Sequence, residues 1–150
     1  MIRMRLKEIR EKQDLTQRQM AKKLGISKSY YNFFETGERI VPLKRLNEFC
    51  NMYHLSMDYL LGLTEHNVTT KEKHKLDRDI IRLRLREIRK KNHLTQDALA
   101  ELLNTSQSTI SSYEKGNTLI LTAFLFEMCK KLNVSADYIV GRTNTTKIIL

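Results

Sequence analysis

Ile2, Leu6 and Ile9 recur at the spacing of one helical face with Lys and Arg between them, and the pattern breaks at Gln13 and Asp14 before the apolar anchor Leu15. A second stripe follows in Met20, Ala21 and Leu24, a third in Tyr31 and Phe34, and a fourth in Leu46, Phe49, Cys50 and Tyr53. Between the stripes stand residues that start and stop helices. Thr16 is placed to N-cap the second helix and Gln19 completes a capping box, while Ser27 caps the third and Ser56 a short fifth that runs through Leu60. Gly25 and Gly62 supply left-handed exits, Gly37-Glu38-Arg39 reads as a loop, and Pro42 is tolerated in the first turn of the fourth helix.

The whole arrangement then recurs 79 residues later without a gap. Of the 58 positions from 5 to 62, 22 are identical to those from 84 to 141, which marks a duplication within one chain. Ile81, Leu85 and Ile88 repeat Ile2, Leu6 and Ile9; Leu125, Met128, Cys129 and Leu132 repeat the fourth stripe; Ser135, Asp137, Tyr138 and Gly141 repeat Ser56, Asp58, Tyr59 and Gly62. Thr95 again caps, but Ala98 replaces the capping-box glutamine, and Asn104 takes the place of Gly25. The organisation expected is a first domain over 1–62, a linker over 63–81 with a helical C-terminal part, a second domain over 82–142 and a tail over 143–150. Leu76, Ile80 and Leu83 are spaced for a helix from about Lys71 that continues into the second domain. The unrepeated TNTTKIIL tail either packs on a partner subunit or frays.

Thr16 to Gly37 and Thr95 to Gly116 each read as two short helices joined by a tight turn, the geometry that lets a second helix lie in a DNA major groove. An Ala in each copy, Ala21 or Ala100, permits the close helix crossing this motif needs. The pattern resembles the helix-turn-helix domains of the Cro/C1 phage-repressor type, the xenobiotic-response-element family, over nearly all of 3–62 and 82–141. That resemblance implies an all-α fold of two tandem five-helix lambda-repressor-like domains joined by a partly helical linker. It also implies that Arg10 pairs with Glu35, and Arg89 with Glu114, as structural ion pairs that lean the third helix on the first.

Two units of about 60 residues are each near the smallest size that folds without a staple, so packing against each other or another chain is expected. The formal charge of +10 suits a polyanionic partner. Residues 1–62 carry +5 of it and 84–141 carry +2, so the first copy is the more basic. Cys50 and Cys129, on matching apolar faces, read as reduced core thiols and indicate a cytoplasmic address. His54, His66, His74 and His93 share no ligand spacing, so no metal or other cofactor is expected. No stretch approaches a membrane span, and the N-terminal residues are charged and periodic, unlike a secretory signal. No Gly-rich phosphate loop, paired-carboxylate site or nucleophile with an evident base argues for an enzyme. No ligand pocket or sensor domain is signalled, and KEKHK reads as a solvated helix face.

The recognition helices expected are 28–36 and 107–115. In the second copy the capping Ser106 with Gln107, Ser108, Thr109, Ser111 and Ser112 forms a short-chain polar surface, and the resemblance places base reading at Gln107, Ser108 and Ser112. Glutamine can make a bidentate contact to adenine, whereas serine is less selective. The first copy offers Lys28, Ser29, Tyr30, Asn32 and Phe33: Lys28 for guanine or phosphate, Asn32 for adenine. Outward Tyr30 and Phe33 suit either a thymine methyl or a protein partner. Gln17 and Gln96 open the second helix of each copy, where amides and the helix dipole favour a phosphate and the family clamps the backbone. Arg18, Lys22, Lys23, Arg39 and Lys115 are candidates to strengthen that clamp.

The function expected is a sequence-specific double-stranded DNA-binding transcription regulator, a repressor of bacterial, phage or mobile-element genes. Two arrangements stay open: a pseudo-symmetric monomer reading two unequal half-sites, or a homodimer in which one repeat reads DNA and the other pairs. The alternative is a protein-interaction module, of antitoxin or phage-inhibitor type, on the same scaffold.

Overall fold

The computed structural model describes every residue except Met1, Arg3, Thr69 and Thr70. α1 (Leu6–Lys12) buries Leu6 and Ile9 and stops at Gln13. Thr16 accepts the Gln19 amide at 3.1 Å and the Gln19 side chain accepts the Thr16 amide at 2.8 Å, a complete capping box that starts α2 (Gln17–Leu24). Gly25, at φ +70°, reverses the chain, and Ser27 accepts the Tyr30 amide at 3.1 Å to begin α3 (Lys28–Thr36). Pro42 is the N-cap residue of α4 (Leu43–Tyr53), and Ser56 caps the single turn of α5 (Met57–Leu60).

The second copy is built alike from α6 (Arg78–Lys91), α7 (Gln96–Leu102), α8 (Gln107–Lys115), α9 (Thr122–Leu132) and α10 (Ala136–Ile139), which makes ten helices and no strand among the described residues. Thr95 caps α7 through the Ala98 amide at 3.0 Å, with no return bond because alanine has nothing to return. Asn104 holds the left-handed turn at φ +56°. α6 is twice as long as α1, 14 residues against 7, because its first turns belong to the linker.

That helix does not begin at Lys71, as the spacing of Leu76, Ile80 and Leu83 predicts; it begins at Arg78, capped by Asp77. The reason is in α4, where the Asn47 and Asn51 amides donate to the His74 carbonyl at 2.8 and 2.9 Å. Asn51 also accepts the His74 N–H at 3.1 Å. Backbone groups already satisfied from the side have nothing to gain from a helical ladder. The tail is tied to the body at two points: the Thr146 carbonyl accepts the Ser135 amide at 2.8 Å, and the Ile149 carbonyl accepts the Thr64 hydroxyl at 2.5 Å.

The buried apolar side chains of both repeats form one continuous core. At the seam α5 meets α10 in a reciprocal exchange. Asp137 accepts the Met57 and Asp58 amides at 2.7 and 2.9 Å, while Asp58 accepts the Ala136 amide at 2.6 Å and the Ser135 hydroxyl at 2.5 Å. Each carboxylate thus satisfies the orphan donors of the other repeat's last helix. Residue i meeting j while j meets i is the mark of an isologous contact, here made within one chain. Arg142 departs from that symmetry, since its counterpart is Leu63; it crosses the seam to Asn47 and Asn51 at 2.7 and 2.8 Å and to the Leu55 carbonyl at 3.2 Å. Thr122 adds a bond to the Val41 carbonyl at 2.6 Å.

Candidate nucleic-acid interface

Each third helix is pinned from below by a buried ion pair. Arg89 holds Glu114 with two parallel bonds of 2.7 and 2.8 Å, and Arg10 holds Glu35 with bonds of 2.8 and 3.1 Å. The remaining guanidinium nitrogen of each arginine donates to a loop carbonyl, Leu94 at 2.9 Å and Leu15 at 2.8 Å. One side chain on the first helix therefore sets both the turn before the second helix and the lean of the third. Burial works against the Glu35 charge, yet the Arg10 and Gln17 bonds hold its carboxyl below the usual range.

From that pair a hydrogen-bonded chain leads out to the surface. In the second copy the Gln96 amide donates to Glu114 at 3.3 Å, and its oxygen accepts the Gln107 amide at 2.7 Å. Gln107 is exposed at the first turn of α8, so its side chain is oriented before any ligand arrives. In the first copy Gln17 donates to Glu35 at 3.2 Å and to the Asn32 oxygen at 3.0 Å. There the oriented group is Asn32, half-buried one turn into α3, and Lys28 at the matching first position stands exposed. The outer positions Gln17 and Gln96 are thus internal struts as well as groups at a helix start. An 18-residue interval from Gln17 to Glu35, repeated from Gln96 to Glu114, was the available sequence sign of this strut.

Ser106, Gln107 and Ser108 are exposed on α8, and Thr109, Ser111 and Ser112 are half-buried beside them. Hydroxyls link this patch: Ser106 lies 3.0 Å from Ser108 and 2.8 Å from Thr109, and Ser112 lies 3.2 Å from Thr118. Arg18, Ser29, Arg39 and Lys115 are exposed. Tyr30 is not the outward aromatic its position in the sequence suggests. It is half-buried, packed on the core and edge-on to Phe34 with ring centres 4.6 Å apart. The Arg39 guanidinium sits 5.6 Å from the half-buried Phe33 ring and 6.0 Å from the Tyr30 ring, a cation over an aromatic shelf that periodicity alone did not reveal.

The helix-turn-helix family model matches residues 6–60 and again residues 85–139. The chain belongs to the Cro/C1-type helix-turn-helix family. Among curated relatives it is 41% identical over 61 residues to YobD of Bacillus subtilis, an uncharacterised HTH-type transcriptional regulator, covering 41% of this chain and 54% of that one. It is 39% identical over 61 residues to the HTH-type transcriptional regulator ImmR of the same organism, covering 41% and 48%. A third relative there, the uncharacterised HTH-type regulator YqaE, shares 43% over 56 residues, covering 37% and 48%. The chain therefore spans about half the length of these family members. No group of three or more potential metal ligands occurs among the described residues, and no described helix is long and apolar enough to cross a membrane.

Proposed function

We propose that this chain is a sequence-specific regulator of transcription that binds double-stranded DNA with α3 and α8 in successive major grooves and represses by occupying its site. The observation that carries the reading is the strut from each buried ion pair to an outward amide. Arg89, Glu114 and Gln96 hold Gln107, and Arg10, Glu35 and Gln17 hold Asn32, at the first two turns of the third helix. Amides fixed in advance are suited to bidentate contact with adenine, because less side-chain freedom is lost on binding. Exposed Lys28, Arg18, Arg39 and Lys115 supply charge for phosphate around them. The reciprocal seam favours the pseudo-symmetric monomer over a homodimer: the contact a dimer would need between repeats is made inside one chain.

The heads differ, amide and hydroxyls on one and lysine, asparagine and aromatics on the other, so the site should be an imperfect palindrome. Random-sequence duplex selection with the full chain tests this. Paired unequal half-sites about one turn, roughly 34 Å, apart are expected, with Gln107→Ala relaxing one half and Asn32→Ala the other. Recovery of no sequence above random competitor would overturn the reading.

A further inference from the structure

The two heads are built differently at the groove between the third helix and the loop that follows it, and the differences come in matched pairs. In the first copy the Phe33 and Tyr30 rings take this place, under the Arg39 guanidinium. In the second copy Ser112 stands for Phe33, Thr109 for Tyr30 and Thr118 for Arg39, and the space is an open groove walled by Leu119 and Leu121. A cation over a ring is thereby exchanged for a hydroxyl pair, Ser112 to Thr118 at 3.2 Å. A second exchange ties the loop to the helix. The Leu121 amide donates to the Tyr113 hydroxyl at 3.5 Å, whereas the matching residues are Pro42, which has no N–H, and Phe34, which has no hydroxyl.

Leu121 is consequently held out into solvent by its own backbone. Its neighbours Ile120 and Thr122 are buried, and the Thr122 hydroxyl is fixed to the Val41 carbonyl across the seam. Leu121 itself is 60% exposed, more than any other large apolar side chain of the described residues outside the tail. The hydroxyls beside it are already paired, Ser108 and Thr109 with Ser106 and Ser112 with Thr118, so the capacity left in the groove is chiefly hydrocarbon.

We propose that this groove receives the C5 methyl group of a thymine, with Leu121 as the residue that reads it. The inference rests on the DNA-binding reading above and adds a specificity determinant to the second head alone. Ser108 and Ser112 belong both to the groove and to the reading surface of α8, so a base edge lies against it when that helix enters a major groove. Thymine is the base that presents hydrocarbon there. In the first head the rings fill the equivalent place, so the requirement falls on one half-site only.

The test uses the full chain and the duplex recovered by selection, with each thymine replaced in turn by uracil, which removes the methyl group and leaves every hydrogen-bonding group in place. At one position of the α8 half-site the change should weaken the wild-type chain roughly fourfold, the worth of one buried methyl group. Leu121→Ser, at an exposed position, should melt as the wild type does, bind the thymine duplex weaker by about that factor, and be indifferent to uracil there. Leu121→Met, which restores hydrocarbon, should recover the sensitivity. In the other half-site uracil should affect the wild type and Leu121→Ser alike. Equal losses for the two chains at every thymine of the α8 half-site, or an α8 half-site recovered without a T·A pair, would overturn the proposal. Full affinity in Leu121→Ser would overturn it too, and would give the leucine to a protein partner instead. Each of these results leaves the DNA reading standing, whereas a selection that recovers no duplex ends both.

Discussion

Asp58 and Asp137 hold equivalent places in the two copies, yet neither serves its own helix. Burial first, and then the Asp137 charge, push the Asp58 carboxyl up to about 7. Around it stand Asp137 and Arg142 from the second copy and the buried thiols of Cys50 and Cys129. A carboxyl that protonates more readily folded than unfolded contributes stability below its unfolded value of 3.8, and that contribution is lost as pH rises through about 7. The melting temperature should therefore fall between about pH 4 and pH 7 and level off above that, as calorimetry would read. Asp58→Asn should flatten that fall, and an unchanged slope in the variant would assign it to another group. Burial also pushes the Cys50 thiol up to about 12, so both cysteines should resist a thiol reagent until the chain unfolds. At the ion pairs, Glu114→Ala should cost about 3 kcal/mol in denaturant unfolding, because it strands a buried guanidinium. Arg89→Met combined with Glu114→Leu should cost much less, since no charge is then left alone.

The helices show where local chemistry is enough and where it is overruled. Thr16, Ser27, Thr95 and Ser106 start helices where their sequence positions suggest, since a cap acts within three residues of itself. The segment from Lys71 to Leu76 has helical spacing but takes another form because Asn47 and Asn51, more than 20 residues away, claim the His74 backbone first. Tyr30 is half-buried for a similar reason: how far a helical position faces water depends on its neighbour's ring, and Phe34 packs edge-on against it. On α8 the strut gives a discriminating prediction. Gln96→Ala frees Gln107, so affinity for the selected duplex should fall roughly tenfold even though Gln107 is untouched. If Gln96 were only a backbone clamp, the same variant would lose affinity equally for selected and random duplex, which competition binding distinguishes.

For the molecule as a whole, a single core running through both repeats means that the heads are carried on one body. If both heads grip phosphate with about eight contacts in all, log affinity should fall with log salt at a slope near −7. A slope near half that value would show one head working alone. The +10 charge sets the sign of this dependence, but the seam decides whether the two contributions add.

What the order of residues determined was everything that acts over a short stretch or repeats. The helical stripes of both copies, the caps at Thr16, Ser27, Ser56, Thr95 and Ser106, the tight turns at Gly25 and Asn104, and the duplicated arginine and glutamate were readable, because capping and periodicity are local and duplication makes each signal appear twice. What only tertiary structure decided was who meets whom across the copies. Equivalent residues such as Asp58 and Asp137 look the same whether each turns to its own helix or to the other's, and only docking chooses. A cavity at the seam has the same origin, for Ser56, Val68, Arg142 and Ile149 are distant along the chain and become one wall only when the tail crosses the seam.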